Sequence, residues 1–162
     1  MRRLILLTPL APLALGILTA AASPSGPLAG RIEARKVVRN AEQERFLPAD
    51  EARPLDVVEY RLTYANTGAE PLRNISVTDP IPAGTEYLVH TATPPQSGDV
   101  TFSIDGGKSY HAWPVRYLKT LPDGTELWAD ATTDMITHIR WTIAGEFEPE
   151  TEITFSYRAL VK

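Results

Sequence analysis

Apolar and polar residues alternate along much of the chain after Leu55, and this period of two is typical of strands with one buried face. In the segment DVVEYRLTY, the residues that share one side are Val58, Tyr60, Leu62 and Tyr64. The positions between them carry Glu, Arg and Thr. The segment is therefore predicted to be a strand whose inner side is apolar and whose outer side is polar.

Three later segments repeat this alternation. Their apolar positions are Ile75 and Val77, then Ile139, Trp141 and Ile143, and finally Ile153, Phe155, Tyr157, Ala159 and Val161. A further strand is predicted over 86–90, whereas no segment after Phe46 keeps a helical period over three turns. With turns about every ten residues, the pattern predicts an all-β fold of roughly seven to nine strands in a two-sheet antiparallel β-sandwich.

The N-terminal arm, residues 31–46, has a less regular pattern. Ile32, Ala34 and Lys36 alternate with charged residues, which favours a strand over 32–39, and residues 41–45 stay open to a helical turn. Such an arm pairs either with its own sheet, which we expect, or with the sheet of a neighbouring molecule. The charges of the arm favour the first alternative, because charges protect a sheet edge from added strands.

Four clusters of turn residues separate the predicted strands. They are NTG at 66–68, DPIPAG at 79–84, DGG at 105–107 and PDG at 122–124. Asn and Gly tolerate positive φ and Pro fixes φ, so each cluster can reverse the chain. The last two clusters lie between apolar runs and predict β-hairpins.

The second cluster contains an acidic residue with two conceivable roles, structural or catalytic. Asp79 is expected to accept hydrogen bonds from backbone amides of its own turn, as Asp side chains in turns commonly do. Pro80 and Pro82 are expected to fix the backbone, and Gly84 to supply the conformational freedom of the corner. On this interpretation the cluster builds a corner of the sandwich and is not a catalytic loop.

The stretch VEYRLTYANTGAEPLRNISVTDPIPAGTEYL resembles the conserved-repeat domain of bacterial and archaeal surface proteins, a family called domain of unknown function eleven. The matching positions are Asn66, Thr67, Gly68, Val77, Asp79, Pro82, Gly84 and Tyr87. The closing segment ITFSYRALVK also resembles the last strand of the family. The resemblance therefore covers about residues 57–162.

This resemblance implies an immunoglobulin-like sandwich and a structural or adhesive role in cell walls, surface layers or filaments. The partners would be other envelope or surface proteins, copies of the same chain included. Members usually carry tandem copies, whereas this sequence has a single N-T-G…D-x-x-P-x-G pattern and a longer segment at 100–128. The structural turn motif that follows from the resemblance comprises Asn66, Gly68, Asp79, Pro82 and Gly84.

The first residues have the features of a secretory signal peptide. Two arginines precede an apolar run over 4–18, and the small residues at 20–22 fit a cleavage site. The run is shorter than the roughly 20 residues that span a bilayer. We expect a cleaved signal peptide at 1–22, a flexible linker at 23–30 and one β-sandwich domain at 31–162. The expected location is periplasmic or extracellular, without stable membrane insertion.

Charge and cysteine content narrow the classes of function. The chain has 16 Lys and Arg against 20 Asp and Glu, and removal of 1–22 would take away two arginines, which leaves 14 against 20 and a charge near −6. An acidic balance argues against nucleic acid as the partner. The chain has no cysteine, so neither a disulfide nor a cysteine nucleophile is available.

No catalytic or metal-binding pattern emerges from the sequence. The three histidines, His90, His111 and His138, are far apart, no G-x-S-x-G elbow occurs, and the aspartates form no D-x-D-x-D run. We expect no enzymatic activity, no cofactor and no histidine metal site. A calcium site in the loops stays open.

Aromatic residues concentrate in the segment 100–128. Tyr110, Trp113, Tyr117 and Trp128 form a candidate contact patch for a protein or a carbohydrate, and the alternative is that they pack over one end of the sandwich. The leading hypothesis is an exported, non-enzymatic module with a structural or adhesive protein-interaction role in the cell envelope. The alternative hypothesis is a secreted protein that binds a glycan or a small ligand through this segment.

Overall fold

The computed structural model describes residues 26–40 and 43–162, and this part of the chain is almost entirely β-structure. Its strands are β1 Leu28–Arg39, β2 Glu44–Pro48, β3 Val57–Asn66, β4 Leu72–Arg73, β5 Ser76–Pro80, β6 Thr85–Tyr87, β7 Gly98–Ser103, β8 Arg116–Thr120, β9 Glu126–Asp130, β10 His138–Ile143, β11 Glu146–Phe147 and β12 Glu152–Val161. Two short 3₁₀ turns, Ala49–Glu51 and Thr133–Met135, are also present. The all-β prediction is confirmed. The predicted signal peptide, 1–22, lies outside the described residues.

Two sheets hold most of the strands, and every strand pair is antiparallel. The larger sheet has the order β2-β1-β3-β12-β6, and the second has the order β5-β10-β7. Two small sheets pair β4 with β11 and β8 with β9. Within the described residues, only β1–β2 and β8–β9 pair with the strand that follows in the chain. The NTG, DPIPAG and DGG clusters therefore lie between strands that do not pair with each other.

Aromatic side chains of the two larger sheets meet in one core. Tyr60 on β3 is opposite Tyr157 on β12, and their rings stack with centroids 5.1 Å apart. Trp141 on β10, in the other sheet, stacks on Phe155 of β12 at 5.3 Å. The alternation predicted for these three strands is therefore confirmed, since the residues of the apolar side are those that form the core.

The N-terminal arm is a strand of the chain's own sheet. β1 pairs with β3 over ten positions, beginning at Leu28. The flexible linker predicted up to residue 30 is therefore wrong for 28–30, and residues 23–25 lie outside the described part. The composition of 28–30 suggested a linker, but Leu28 packs against the core and Gly30 lies beneath the ring of Tyr64, where a side chain would collide with the ring.

β2 follows β1 and forms the edge of the larger sheet. The backbones of Asn40 and Gln43 exchange hydrogen bonds of 3.0 and 3.3 Å, and β2 then runs back along β1. The helical turn left open for 41–45 is wrong for 44 and 45, while 41 and 42 lie outside the described residues. Pairing prevails because so short a helical segment has little stability of its own.

Three further predictions differ from the structure in detail. The strand predicted over 86–90 already ends at Tyr87, and His90 has a φ of 62° in the turn that follows. The DGG cluster is closed by a single bridge between Phe102 and His111, because β7 pairs along its length with β10. The PDG hairpin is confirmed as β8–β9. The described residues form more strands than the seven to nine expected, partly because β4 and β11 are separate pieces of two residues each.

A row of ion pairs crosses the outer side of the larger sheet. Glu59 accepts hydrogen bonds from Arg35 at 2.7 Å and from Arg158 at 3.2 Å. Glu44 accepts from Arg158 at 2.8 Å and from Arg39 at 2.6 Å. The guanidinium groups of Arg35 and Arg158 cover Glu59. Glu59 is therefore buried, although it lies on the side of β3 that was predicted to be polar and exposed.

Candidate functional site

The NTG turn is held by a fully buried asparagine at the end of β3. The amide nitrogen of Asn66 donates to the carbonyls of Glu70 and Phe147, both at 2.9 Å. Its side-chain oxygen accepts from the backbone amide of Gly68 at 3.0 Å. The side chain of Asn66 therefore holds the NTG segment in place and fastens it to β11, which contains Phe147.

The same turn holds the beginning of β1. The backbone amide and the hydroxyl of Thr67 both donate to the carbonyl of Pro27, at 2.7 and 3.0 Å. A Cβ atom on Gly68 would lie 2.7 Å from the Cβ of Pro27, so only a glycine allows this approach. Gly68 is therefore required for close packing.

Asp79 does not have the role that the sequence suggested. It lies within β5, opposite Ile139 of β10, and is 6% exposed. Its carboxylate accepts a hydrogen bond of 2.7 Å from the hydroxyl of Tyr157, and no turn amide donates to it in the described part of the chain. The expected turn role is wrong because β5 continues through Asp79, which places its side chain on the same inner side as Val77.

The core around Asp79 opposes the ionisation of its carboxyl. Burial raises the pKa of this carboxyl above 3.8, against the opposing effects of the Tyr157 hydrogen bond and of His138. Burial also raises the pKa of Tyr157, and the Asp79 charge adds to that shift. The pair lies inside the core formed by the described residues, so its geometry is that of a structural link between two sheets.

The corner at 82–84 connects to the last strand. The carbonyl of Pro82 accepts from the amide and the hydroxyl of Thr85, at 3.1 and 2.8 Å. Gly84 has a φ of 79°, and its carbonyl accepts from the amide of Lys162 at 2.8 Å. Pro82 and Gly84 therefore lie in the turn that leads into β6.

Two of the four aromatic residues of the candidate contact patch pack on the protein itself. The guanidinium of Arg140 lies 3.5 Å from the ring centroid of Tyr110. Trp113 is partly buried and meets Phe102 edge-on, with centroids 5.9 Å apart. For these two side chains the alternative interpretation, packing over the end of the core, fits the structure better than a contact role.

The other two aromatic residues lie on opposite faces of the hairpin β8–β9. Tyr117 is opposite Ala129, and Trp128 is opposite Leu118, so the two rings belong to alternating rows. Tyr117 packs against the core, whereas Trp128 is 61% exposed. The candidate patch of four is therefore not brought together as one surface, because the period of two separates Tyr117 from Trp128.

Sequence reasoning did not identify the surface that the hairpin does expose. Beside Trp128, the side chains of Leu118 and Leu127 are 47% and 39% exposed, although all three are large and apolar. The sequence does contain a signal for this surface. Tyr117 is followed by Leu118, and Leu127 by Trp128. Consecutive residues of a strand face opposite sides, so each pair places an apolar residue on both faces. Both faces of this hairpin therefore carry apolar residues.

Several charged side chains of the described residues form ion pairs. A shallow depression beside the first 3₁₀ turn contains Lys36 and Asp56, whose charges are joined at 2.7 Å. Within 26–40 and 43–162, no three His, Asp or Glu side chains are arranged to hold a metal ion. In the same ranges, no helix is long and apolar enough to cross a bilayer.

Comparisons with known proteins give no match for this chain. No family model matches it, and neither a curated protein nor a solved structure does. The exposed hairpin surface is therefore the feature from which a function can be argued.

Proposed function

We propose that the protein is an exported, non-enzymatic, immunoglobulin-like module that acts in the cell envelope through protein–protein contacts, in a structural or adhesive role. The proposal includes kinship with the conserved-repeat domain of prokaryotic surface proteins. The observation that carries the contact role is the exposed Trp128 on the hairpin β8–β9. Partners are other envelope proteins or further copies of the chain.

The sandwich architecture is supported by the way the two larger sheets meet. Trp141 of one sheet stacks on Phe155 of the other, and the hydroxyl of Tyr157 reaches Asp79 across the core. Two antiparallel sheets with a shared aromatic core are typical of immunoglobulin-like sandwiches. The motif residues at 66–68 and 79–84 are used within this architecture for turns, a corner and a core link.

A non-enzymatic role is supported by the state of the ionisable groups. The carboxylates with strongly lowered pKa values are bound by neighbours of the fold: Glu44 by Arg158 and Arg39, and Asp105 by Ser109 and Ser103. The carboxyl whose pKa is raised, Asp79, is buried in the core beside a tyrosine. A catalytic carboxyl needs to face a cleft where a substrate can bind, and these groups face their structural partners.

A protein-contact role is supported by the chemistry of the hairpin. Trp is strongly enriched among the residues that dominate binding energy at protein interfaces. Among the described residues, β8 and β9 pair only with each other, and an isolated two-stranded sheet is marginally stable in water. A partner that covers the exposed Trp128 and Leu118 would bury apolar surface and stabilise the hairpin at once.

Glycan binding is the second candidate, and the same exposed indole favours it. Sugar rings stack on aromatic faces much as apolar groups do. However, the guanidinium of Arg116 lies over one face of the Trp128 ring, 5.7 Å from its centroid, which leaves only the other face open to a sugar. The protein-contact role therefore ranks first.

Site-specific photo-crosslinking tests the contact role in cells that export the chain. A photoreactive phenylalanine at position 128 is expected to form crosslinks to protein, whereas the same residue at Val89, which is 38% exposed elsewhere on the surface, serves as the matched control. Equal crosslinking at both positions would argue against the hairpin as a contact surface. A glycan array that shows binding abolished by Trp128→Ala would favour the second candidate instead.

A further inference from the structure

The outward face of the hairpin β8–β9 is defined by three cross-strand pairs. From the base of the hairpin to its tip they are Arg116 with Asp130, Leu118 with Trp128, and Thr120 with Glu126. The opposite face carries Tyr117 and Ala129, which are partly buried on the side that packs toward the core, and nearer the tip Lys119 and Leu127, which are exposed. We call the face of these three pairs the hairpin face.

The hairpin face has an apolar centre and a charged base. Leu118 and Trp128 together form the centre. At the base, the Nε atom of Arg116 lies 3.7 Å from a carboxylate oxygen of Asp130, and both side chains are more than 60% exposed. Exposed ion pairs of this length contribute little within one chain, so both charges remain able to bind a partner.

Two-fold symmetry allows two ways to pack one hairpin face on another, because a symmetric dimer uses the same patch twice. If the axis runs across the strands, the base of one hairpin opposes the tip of the other, and Glu126 faces Asp130 of the second copy. If the axis runs parallel to the strands, base opposes base, and Arg116 faces Asp130 of the second copy. Like charges repel and opposite charges attract. The Arg116–Asp130 contact therefore favours the axis parallel to the strands over the axis that brings Glu126 to Asp130.

The parallel axis also matches the apolar centre. It places Leu118 against Trp128 of the second copy, and the reciprocal contact follows from the symmetry. At the tip, Thr120 faces Glu126 of the second copy, and a hydroxyl can donate to a carboxylate. Each of the three rows is therefore complementary to itself.

We infer that the partner of the hairpin face is a second copy of this chain, packed about a two-fold axis parallel to β8 and β9. The inference rests on the proposed contact role and names its partner. The resulting interface has two Leu118–Trp128 contacts at its centre and two Arg116–Asp130 pairs between the chains at its base. Sheets packed face to face in this way bury their facing side chains in a layer about 10 Å thick.

Analytical ultracentrifugation of the purified protein, produced from the full sequence, tests the inference over a series of concentrations. The wild-type protein is expected to form dimers, and Trp128→Ser is expected to weaken dimerisation at least about tenfold, as loss of a central aromatic contact commonly does. Thr142→Ser, an exposed position outside the hairpin, is the control and is expected to dimerise as the wild type does. Circular dichroism and thermal unfolding verify that each variant is folded.

Charge reversal gives the decisive measurement. Arg116→Glu alone and Asp130→Arg alone should each abolish dimers, because each variant places like charges opposite one another. An equimolar mixture of the two variants should recover dimers, since the introduced glutamate then faces the introduced arginine and the retained Asp130 faces the retained Arg116. The double variant Arg116→Glu/Asp130→Arg should also dimerise.

Failure of the inference can be distinguished from failure of the proposed function. A wild-type protein that stays monomeric, or a mixture that associates no better than its components, overturns the self-contact. If position 128 nevertheless crosslinks to a different envelope protein, the contact role survives while the second copy is rejected as the partner. If neither association nor crosslinking occurs, both proposals fail.

Discussion

The hydroxyl of Tyr157 on β12 donates a 2.7 Å hydrogen bond to the carboxylate of Asp79 on β5, and this bond joins the two larger sheets through the core. Tyr157 is fully buried, and its ring stacks on the ring of Tyr60 from the neighbouring strand β3. A buried carboxylate without a donor is costly, because it loses hydration and gains nothing in return. The tyrosine hydroxyl is therefore needed to keep Asp79 inside the fold.

Replacing Tyr157 by phenylalanine should destabilise the protein by about 2 kcal/mol, the usual cost of removing one partner of a buried polar pair. The variant keeps the ring and its stacking, so the loss reports the hydrogen bond. Urea unfolding at neutral pH, followed by tryptophan fluorescence, measures the free energy of unfolding. Tyr87→Phe is the matched control, because the hydroxyl of Tyr87 takes part in a long bond of 3.3 Å from the amide of Ala92. Equal losses in both variants would contradict this account.

The raised pKa of Asp79 predicts a specific dependence of stability on pH. Because burial raises this pKa in the folded state above 3.8, the folded protein holds the proton more tightly than the unfolded chain. The stabilisation from this group is therefore complete below the unfolded pKa and is lost as the pH rises above it. The variant Asp79→Asn cannot titrate. Its stability relative to wild type should accordingly increase as the pH rises above 3.8.

Glu44 supplies a control, because its pKa is shifted in the opposite direction from that of Asp79. Hydrogen bonds from Arg158 and Arg39 lower the pKa of Glu44 from 4.5 to about 2. Its stabilisation is present above the unfolded value and is lost as the pH falls through about 2. Relative to wild type, Glu44→Gln should therefore lose stability as the pH rises from about 2 to 4.5, whereas Asp79→Asn should gain stability as the pH rises above 3.8. If the stability of both variants relative to wild type changed in the same direction with rising pH, the assigned pKa shifts of Glu44 and Asp79 would be contradicted.

The strands of the core could be predicted from the sequence because each has one buried side. In β12, the residues Phe155, Tyr157 and Ala159 are all buried, as the period of two requires. The same rule predicts the buried position of Asp79, because Asp79 lies two residues after Val77 and therefore on the same side of β5. The sequence favours the turn interpretation because Asp commonly binds turn amides, and the pattern alone does not reveal a tyrosine donor on a distant strand.

The candidate contact patch could be predicted only in part. Clustering in sequence suggested that Trp113 and Trp128 act together, but Trp113 packs on Phe102 and Trp128 faces outward. A hairpin with apolar residues on both sides does not specify in its sequence which side the rest of the protein covers. That choice depends on contacts between segments far apart in the chain, as does the pairing of β1 with β3.

Asn66 should tolerate neither the loss of its amide nor its conversion to a carboxylate. Asn66→Ala leaves two carbonyls and one amide without their side-chain partner, and we expect a loss of about 3 kcal/mol. Asn66→Asp should cost more, because a carboxylate would face the carbonyls of Glu70 and Phe147 with no proton to donate. Chemical denaturation of both variants tests the order. The account is wrong if the aspartate variant is the more stable of the two at neutral pH.

Two glycines of the turn motif should respond to alanine for different reasons. Gly84 has a φ of 79°, and among the described residues no atom beyond its two chain neighbours lies within 4 Å of the point that its Cβ would occupy. Gly84→Ala therefore carries only backbone strain, about 1 kcal/mol. Gly68 has an ordinary φ, but its added Cβ would lie 2.7 Å from the Cβ of Pro27. Gly68→Ala should therefore push Pro27 away and weaken the hydrogen bonds that Thr67 donates to it.

A double-mutant cycle separates the two causes. In a Pro27→Gly background the atom that collides with the new side chain is absent, so Gly68→Ala should cost clearly less there than in wild type, while the cost of Gly84→Ala should stay the same. Hydrogen exchange adds a local measurement: Gly68→Ala should speed exchange of the first amides of β1, and Gly84→Ala should leave them unchanged, because its strain lies in the corner before β6. If the Pro27→Gly background does not reduce the cost of Gly68→Ala, the close approach of Pro27 is not the reason that this turn requires glycine.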